Sequence, residues 1–300
     1  MLDRGFLRAS GKDHVRFLQG MLTNDVASLA PGQACPALLL SQKGRVVADL
    51  IALRFADHVI LSCEGSVEPA RAALERFIIM DDVTLEVAEL AELAVVGDGA
   101  AEALASAGLP TPSPWRHEED GFVVLQAPIA GQEAYHVLHA PAEIEALRAR
   151  LPARRLEAAD VALLFLQAGW PRIATDFAPD EILPMEAGPL SSAISFSKGC
   201  YVGQEVVVRG TTRGGVKHRF AGLRLAGQIV PPRGAKVASS ARPEAGHVTS
   251  AASSQGAVLA LAYLWHDVAT AGTSVEVQTS DGALAAVVVA SPSDAPKELS

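Results

Sequence analysis

In the run "SFSKGCYVGQEVVVRG", Ser195 to Gly210, a cysteine has a lysine two residues before it and an aromatic residue directly after it. A thiol reacts as its thiolate, and a nearby cation or the free N–H groups of a helix start increase the thiolate fraction. Lys198 supplies the cation, and Gly203-Gln204-Glu205 has the make-up of a helix opening. Two readings of Cys200 stand side by side: a working thiol, or a small residue filling a hole in a glycine-rich turn. The segment that follows, "RGTTRGGVKHRF", gathers Arg209, Arg213, Lys217 and Arg219 around His218. On a glycine-rich loop such a cluster suits carboxylates or phosphates through charge-assisted hydrogen bonds and loop N–H groups. It equally suits a solvated linker.

Asp49 is the other chemically suggestive residue. In "RVVADLIALRF", strand alternation puts Val47, Asp49 and Ile51 on one face and Val46, Ala48 and Leu50 on the other. A carboxylate among apolar neighbours needs a cation or a ligand, because burying it alone is costly. Arg45 and Arg54 are the nearby cations, and an ion-paired or edge-exposed acid is the structural alternative.

Other patterns fail on inspection. "VVGDGAAEAL" follows a strand and opens a helix, but Glu102 stands where a dinucleotide fingerprint needs its third glycine. His136 and His139 in "YHVLH" point to opposite faces of a strand and make a poor metal pair. Cys35, Cys63 and Cys200 are odd in number and far apart, which argues against a disulfide framework and against a self-contained zinc or iron–sulfur site.

The elements that must position these groups alternate irregularly. "GFLRAS" reads as a strand and "DHVRFLQGML" as a short helix ended by "TNDV". "CPALLLSQ" and "RVVADLIALRF" form a hairpin through Lys43-Gly44, and "HVILSC" leads to Ser66 as N-cap of the helix "VEPARAALERFII". The helix "AADVALLFLQAG" is apolar almost all round and is expected to be deeply packed. The long irregular stretch "PRIATDFAPDEILPMEAGPLSSA" then delivers the chain to Cys200. From about Phe220 onward, short β-type runs separated by Gly, Pro, Ser and Asp indicate a small antiparallel barrel or sandwich.

The whole chain is acidic, with 25 lysines and arginines against 34 acids in 300 residues. That balance gives no general reason to bind DNA or an anionic membrane, so an anion site has to be local. No apolar stretch has the length of a signal peptide or a bilayer span, and the expected location is the cytoplasm.

"KGCYVGQE" resembles the signature of the YgfZ group of folate-binding proteins implicated in iron–sulfur cluster assembly. These are relatives of the glycine-cleavage T-protein, an aminomethyltransferase. "FLQGMLTNDV", "SQKGRVVADL", "LQAGWPR" and "RGTTRGGVKHR" are similar to further landmarks of that family, in the same order. The resemblance implies an α+β fold of interleaved ferredoxin-like subdomains around a central folate hole, with a small antiparallel β-barrel at the C-terminal end. It divides the chain into a folate-binding region at 1–219, a barrel at 220–292 and a frayed tail at 293–300.

It also implies a reduced folate such as tetrahydrofolate as cofactor. Asp49 falls where the T-protein's acid assists transfer at a folate nitrogen, and it is expected to work with Cys200. Gln167, Lys198, Tyr201, Gln204 and Glu205 are the further folate-site residues implied, while Arg213, Lys217 and Arg219 would attract the folate glutamate carboxylates or an acidic partner. Gln167-Ala168-Gly169 stands where the T-protein has Glu-Ala-Gly, and an amide offers one acceptor oxygen to a pterin edge that a carboxylate would meet with two. The expected role is an accessory protein whose partners are iron–sulfur client enzymes or other cluster-assembly proteins. The alternative is a tetrahydrofolate-dependent aminomethyltransferase or demethylase. No metal is expected to reside here, since one cysteine cannot hold a cluster unaided.

Overall fold

The computed structural model describes residues 4–212, 215–254, 256–280 and 282–290. The expected tail at 293–300 and Arg213 lie outside the described residues. The chain forms two compact units, Met1–Arg155 with Ser192–Gln204, and Leu156–Ser191 with Glu205–Ser300. Residues 156–191 and 205–219, expected with the first region, are thus grouped with the barrel.

In the first unit the opening strand β1 (Arg4–Ser10) is followed by helix α1 (His14–Met21) and the hairpin β2 (Gln33–Leu40) and β3 (Val46–Arg54). Strand β4 (His58–Glu64), helix α2 (Glu68–Glu75) and the short β5 (Thr84–Val87) complete an antiparallel sheet in the order β2-β3-β4-β1-β5. Pro36, which has no N–H for a ladder, lies on the edge strand β2. The hairpin turns at Gly44, whose φ of 71° is open to glycine at little cost. One face of this sheet packs on Phe17, Leu18, Met21 and Leu22 at the end of α1 and on Ala70 and Leu74 of α2. Helix α2 is shorter than its apolar pattern suggests, because Phe77 and Ile78 leave helical register to pack on that core. Val67, not Ser66 as expected, is the N-cap residue of α2, and the Ser66 hydroxyl accepts the Glu68 N–H at 3.2 Å from one residue further out.

A second sheet, in the order β6-β9-β8-β7, is built from β6 (Ala91–Val96), β7 (His117–Asp120), β8 (Phe122–Gln126) and β9 (Ala134–His139). It packs on helices α3 (Ala100–Ser106) and α4 (Pro141–Arg150) through Leu104, Ile144 and Leu147.

The second unit carries α5 (Ala158–Gln167), a 3-10 turn at Pro184–Glu186 and most of a second at Gly188–Ala193, and resumes at Glu205 in α6 (Gln204–Thr212). Its barrel closes in the order β10-β13-β12-β11-β14-β15, from β10 (His218–Leu225), β11 (Lys236–Ala238), β12 (Gly246–Ser254), β13 (Ala257–Trp265), β14 (Ser274–Thr279) and β15 (Gly282–Val289). Alternate residues such as Leu223, Val237, Val248, Ala260, Val277 and Val288 fill it. Helix α5 departs from expectation: only Leu166 is buried, against Leu259 and Leu261 of the barrel wall, and the rest of the helix keeps some exposure. The irregular stretch is held by Asp176, whose carboxylate accepts the Arg172 N–H at 2.9 Å and the Thr249 hydroxyl at 2.7 Å. Thr249 falls at the bulge in β12.

Candidate functional site

Strand β3 is buried from Val46 to Leu53 except at Asp49, the one position that retains exposure. The sheet register explains its surroundings. Leu50 pairs with Cys63 on β4, and Glu64, the next residue of β4, pairs with Arg4 on β1, so Asp49, the residue before Leu50 on antiparallel β3, comes level with Glu64 and Arg4 across three neighbouring strands. Burial, and then the like charge of Glu64, push the Asp49 carboxyl up to about 7, against the opposing pull of Arg4 and the Leu50 N–H. Arg4 is a shared cation. It donates to the hydroxyl and the carbonyl of Ser62 and lies 3.7 Å from Glu92. Glu92 in turn accepts from His136 at 2.9 Å, in a pair that is almost wholly buried. The cation facing Asp49 is therefore Arg4, whereas Arg54 turns to the ring of His14 and the carbonyl of His58.

The signature turn is stitched to the end of α1. The Ser195 N–H donates to the Thr23 carbonyl at 3.0 Å and the Val202 N–H to the Gly20 carbonyl at 3.1 Å. Thr23 Oγ1 donates to the Ala193 carbonyl and accepts the Leu38 N–H, both at 2.8 Å. Asn24 Nδ2 donates to the Pro36 carbonyl at 2.7 Å, which ties the same corner to β2. Lys198 is 8% exposed, and its Nζ donates to the carbonyls of Gln19, Leu22 and Asn24 at 2.6, 2.6 and 3.0 Å. Burial lowers its pKa to about 8, while Asp25 and Cys35 favour the charged form.

The ring of Tyr201, also buried, lies 5.2 Å from Lys198 Nζ. Between these buried anchors Gly199 and Cys200 are exposed, and so is Phe196. Cys35 and Cys63 are buried, and burial pushes each thiol up to about 12. Gln204 is half-buried at the first position of α6. The groups that act on Asp49, Glu64 and Arg4, are not those that act on Lys198, Asp25 and Cys35.

The remaining expected residues belong to the second unit. Gln167 Nε2 donates to the Ser254 hydroxyl at 3.2 Å, so its amide is partly engaged by the barrel. Glu205 is exposed and paired with Arg209 one helical turn on. Lys217 and Arg219 are exposed at the start of β10. Arg4, Glu64, Glu92, Thr23 and Asn24 carry the geometry without having been singled out in the sequence; strand register and one corner of chain bring them in, and no local spacing signals either. Among the described residues no cluster of three or more His, Cys, Asp or Glu could hold a metal ion, and no helix is long and apolar enough to cross a membrane.

Comparison with known proteins gives two family matches, the GCVT N-terminal domain over residues 5–113 and the glycine cleavage T-protein C-terminal barrel domain over residues 218–293. The chain is 26% identical over 208 residues to the tRNA-modifying protein YgfZ of Colwellia psychrerythraea, a match covering 68% of this chain and 64% of that relative. It thus spans just under two thirds of that relative's length. It is 25% identical over 310 aligned residues to an aminomethyltransferase of Lysinibacillus sphaericus, covering 96% of this chain and 83% of that one. The crystal structure of glycine cleavage system aminomethyltransferase T from Bartonella henselae matches with a TM-score of 0.86 at 23% identity, over 97% of this chain and 84% of that one, a likeness of fold.

Proposed function

We propose, from the premise that this chain belongs to the YgfZ and T-protein-like family, that it is a reduced-folate-binding accessory protein of the cytoplasm serving the assembly or repair of iron–sulfur clusters in client enzymes. The observation that carries the folate reading is Asp49, a largely buried carboxyl raised to about 7 on a strand otherwise apolar and buried from Val46 to Leu53. Protonated, such a group donates a hydrogen bond; ionised, it accepts one, and near neutrality it exchanges a proton with an amine at little cost. That is the behaviour a ring N–H of a reduced folate requires of its partner, so the residues present fit the cofactor. Tetrahydrofolate, when bound, supplies a ring nitrogen that can carry a one-carbon unit.

Arg4 holds the carboxyl cluster together without neutralising all of it, since one guanidinium faces Asp49 and lies beside Glu92 as well. Lys217 and Arg219, exposed on the barrel unit, offer positive charge to an acidic partner surface. Cys200, exposed on an anchored turn, offers a thiol for transient ligation or exchange with a client. The Colwellia relative is named for tRNA modification, which suggests tRNA-modifying enzymes among the clients. The test is a strain lacking the gene, complemented with wild type, Asp49→Ala or Cys200→Ala, in which iron–sulfur enzymes are assayed under oxidative stress. Undiminished activities in the deletion strain contradict the accessory role.

A second reading, tetrahydrofolate-dependent aminomethyl transfer, is favoured by the same near-neutral Asp49. Asp49-dependent formation of methylenetetrahydrofolate from an aminomethyl donor would establish it in place of the accessory role.

A further inference from the structure

Helix C-termini leave carbonyls without intrahelical partners, and a cation placed there is favoured by the helix dipole. At the end of α1 Lys198 meets three carbonyls: Gln19 within the helix, Leu22 at its cap and Asn24 just beyond, the last of which also accepts the Val26 N–H at 3.1 Å. An ammonium has three N–H bonds, and here each is directed at a protein oxygen within 3.0 Å. No donor remains for a ligand carboxylate or pterin. The same corner accepts the Ser195 and Val202 N–H groups through Thr23 and Gly20, so the chain is pinned on both sides of Cys200 by one piece of structure. Ser195 closes the turn internally by accepting the Lys198 N–H at 3.3 Å.

We propose that Lys198 is a positioning residue, the latch that locks the Cys200 turn onto the end of α1, and that it makes no contact with folate. The inference rests on the reading of Cys200 as a working group. It assigns to the signature lysine a role different from the cofactor contact that the sequence suggested. Groups facing the ammonium are the three carbonyls, the Tyr201 ring, Asp25 and Cys35. A neutral methionine of similar length would fill the space and remove all three of these bonds. Arginine, with a planar fork, would recover some of the three bonds.

The test uses the full chain as wild type, Lys198→Met and Lys198→Arg. In wild type, nitrogen-15 spectra of the lysine ammonium groups should show one signal protected from solvent exchange at neutral pH, and that signal should be missing in Lys198→Met. In Lys198→Met, iodoacetamide should alkylate Cys200 at a rate changed by about tenfold, with faster amide exchange at Ser195 and Val202 and unaltered exchange in β4, as expected of a local opening. Lys198→Arg should lie between the two. Where wild type binds tetrahydrofolate, Lys198→Met should keep its affinity within about a factor of two, as a residue outside the binding contacts does. An unprotected Lys198 signal, or an unchanged Cys200 rate, overturns the proposal. So does a large loss of folate affinity at an unchanged Cys200 rate. If Lys198→Met does not fold, the wild-type ammonium signal decides alone. If wild type binds no folate, the folate reading fails, while the spectra and the alkylation rates still judge the latch.

Discussion

Gly203 packs so closely on the β2–β3 hairpin that a Cβ on it would lie 2.7 Å from the carbonyl oxygen of Ser41. Its φ of +82° is also one that side chains rarely adopt. Gly203→Ala should therefore destabilise the first unit by about 1–3 kcal/mol, the scale of a strained backbone position. Urea unfolding monitored in that unit measures it, and a cost under a few tenths of a kcal/mol would show that the hairpin yields.

Of the three thiols, only Cys200 is exposed, while burial holds Cys35 and Cys63 near 12. Native protein at pH 7.5 should take up a single iodoacetamide, and peptide mass spectrometry should place it on Cys200. All three should react after unfolding.

The hairpin, the first helix and the barrel's strand-rich character were legible in the sequence because each follows from local pattern: Lys43-Gly44 between two apolar strand-like runs, apolar spacing in α1, short strands parted by turns. The site was legible only as isolated residues. Asp49 stands out as an acid among apolar neighbours, but local spacing points to Arg45 and Arg54 as its cations, whereas register across β3, β4 and β1 supplies Arg4. Lys198 stood out as a charge beside a thiol. That it turns inward to α1 depends on where "TNDV" folds back, which no spacing reveals. Helix α5 misled for a related reason: its apolar residues suggested burial, yet the barrel wall covers only the side carrying Leu166.

Asp49 should make stability depend on pH near neutrality. Its folded pKa is raised to about 7, so between the ordinary aspartate range and 7 the folded protein holds more protons than the unfolded chain. Its contribution is present at low pH and is lost as pH rises through 7. Asp49→Asn should match wild type below about pH 4 and exceed it by about 4 kcal/mol at pH 8.5, since each pKa unit between the ordinary aspartate value and 7 is worth about 1.4 kcal/mol. Denaturant titrations at the two pH values check this; equal stability at both would mean that Asp49 ionises without penalty.

The buried Glu92–His136 pair should behave in the opposite sense. Burial raises the Glu92 carboxyl, but His136 and Arg4 together bring it below its ordinary range. Its stabilisation is then present above that range and lost as pH falls through the lowered value. Glu92→Ala, which strands His136, should cost about 3–5 kcal/mol at pH 7, read from the denaturation midpoint. A cost below about 1 kcal/mol would show that water or Arg4 replaces the carboxylate.

The central claim, that this chain binds a reduced folate through Asp49, is tested most directly by calorimetric titration of tetrahydrofolate into wild type and Asp49→Asn at pH 7. The account predicts saturable binding to wild type with a dissociation constant on the order of micromolar, weakened at least about tenfold by the substitution, a difference of about 1.4 kcal/mol. Absence of binding to wild type, or equal binding to both proteins, would contradict it.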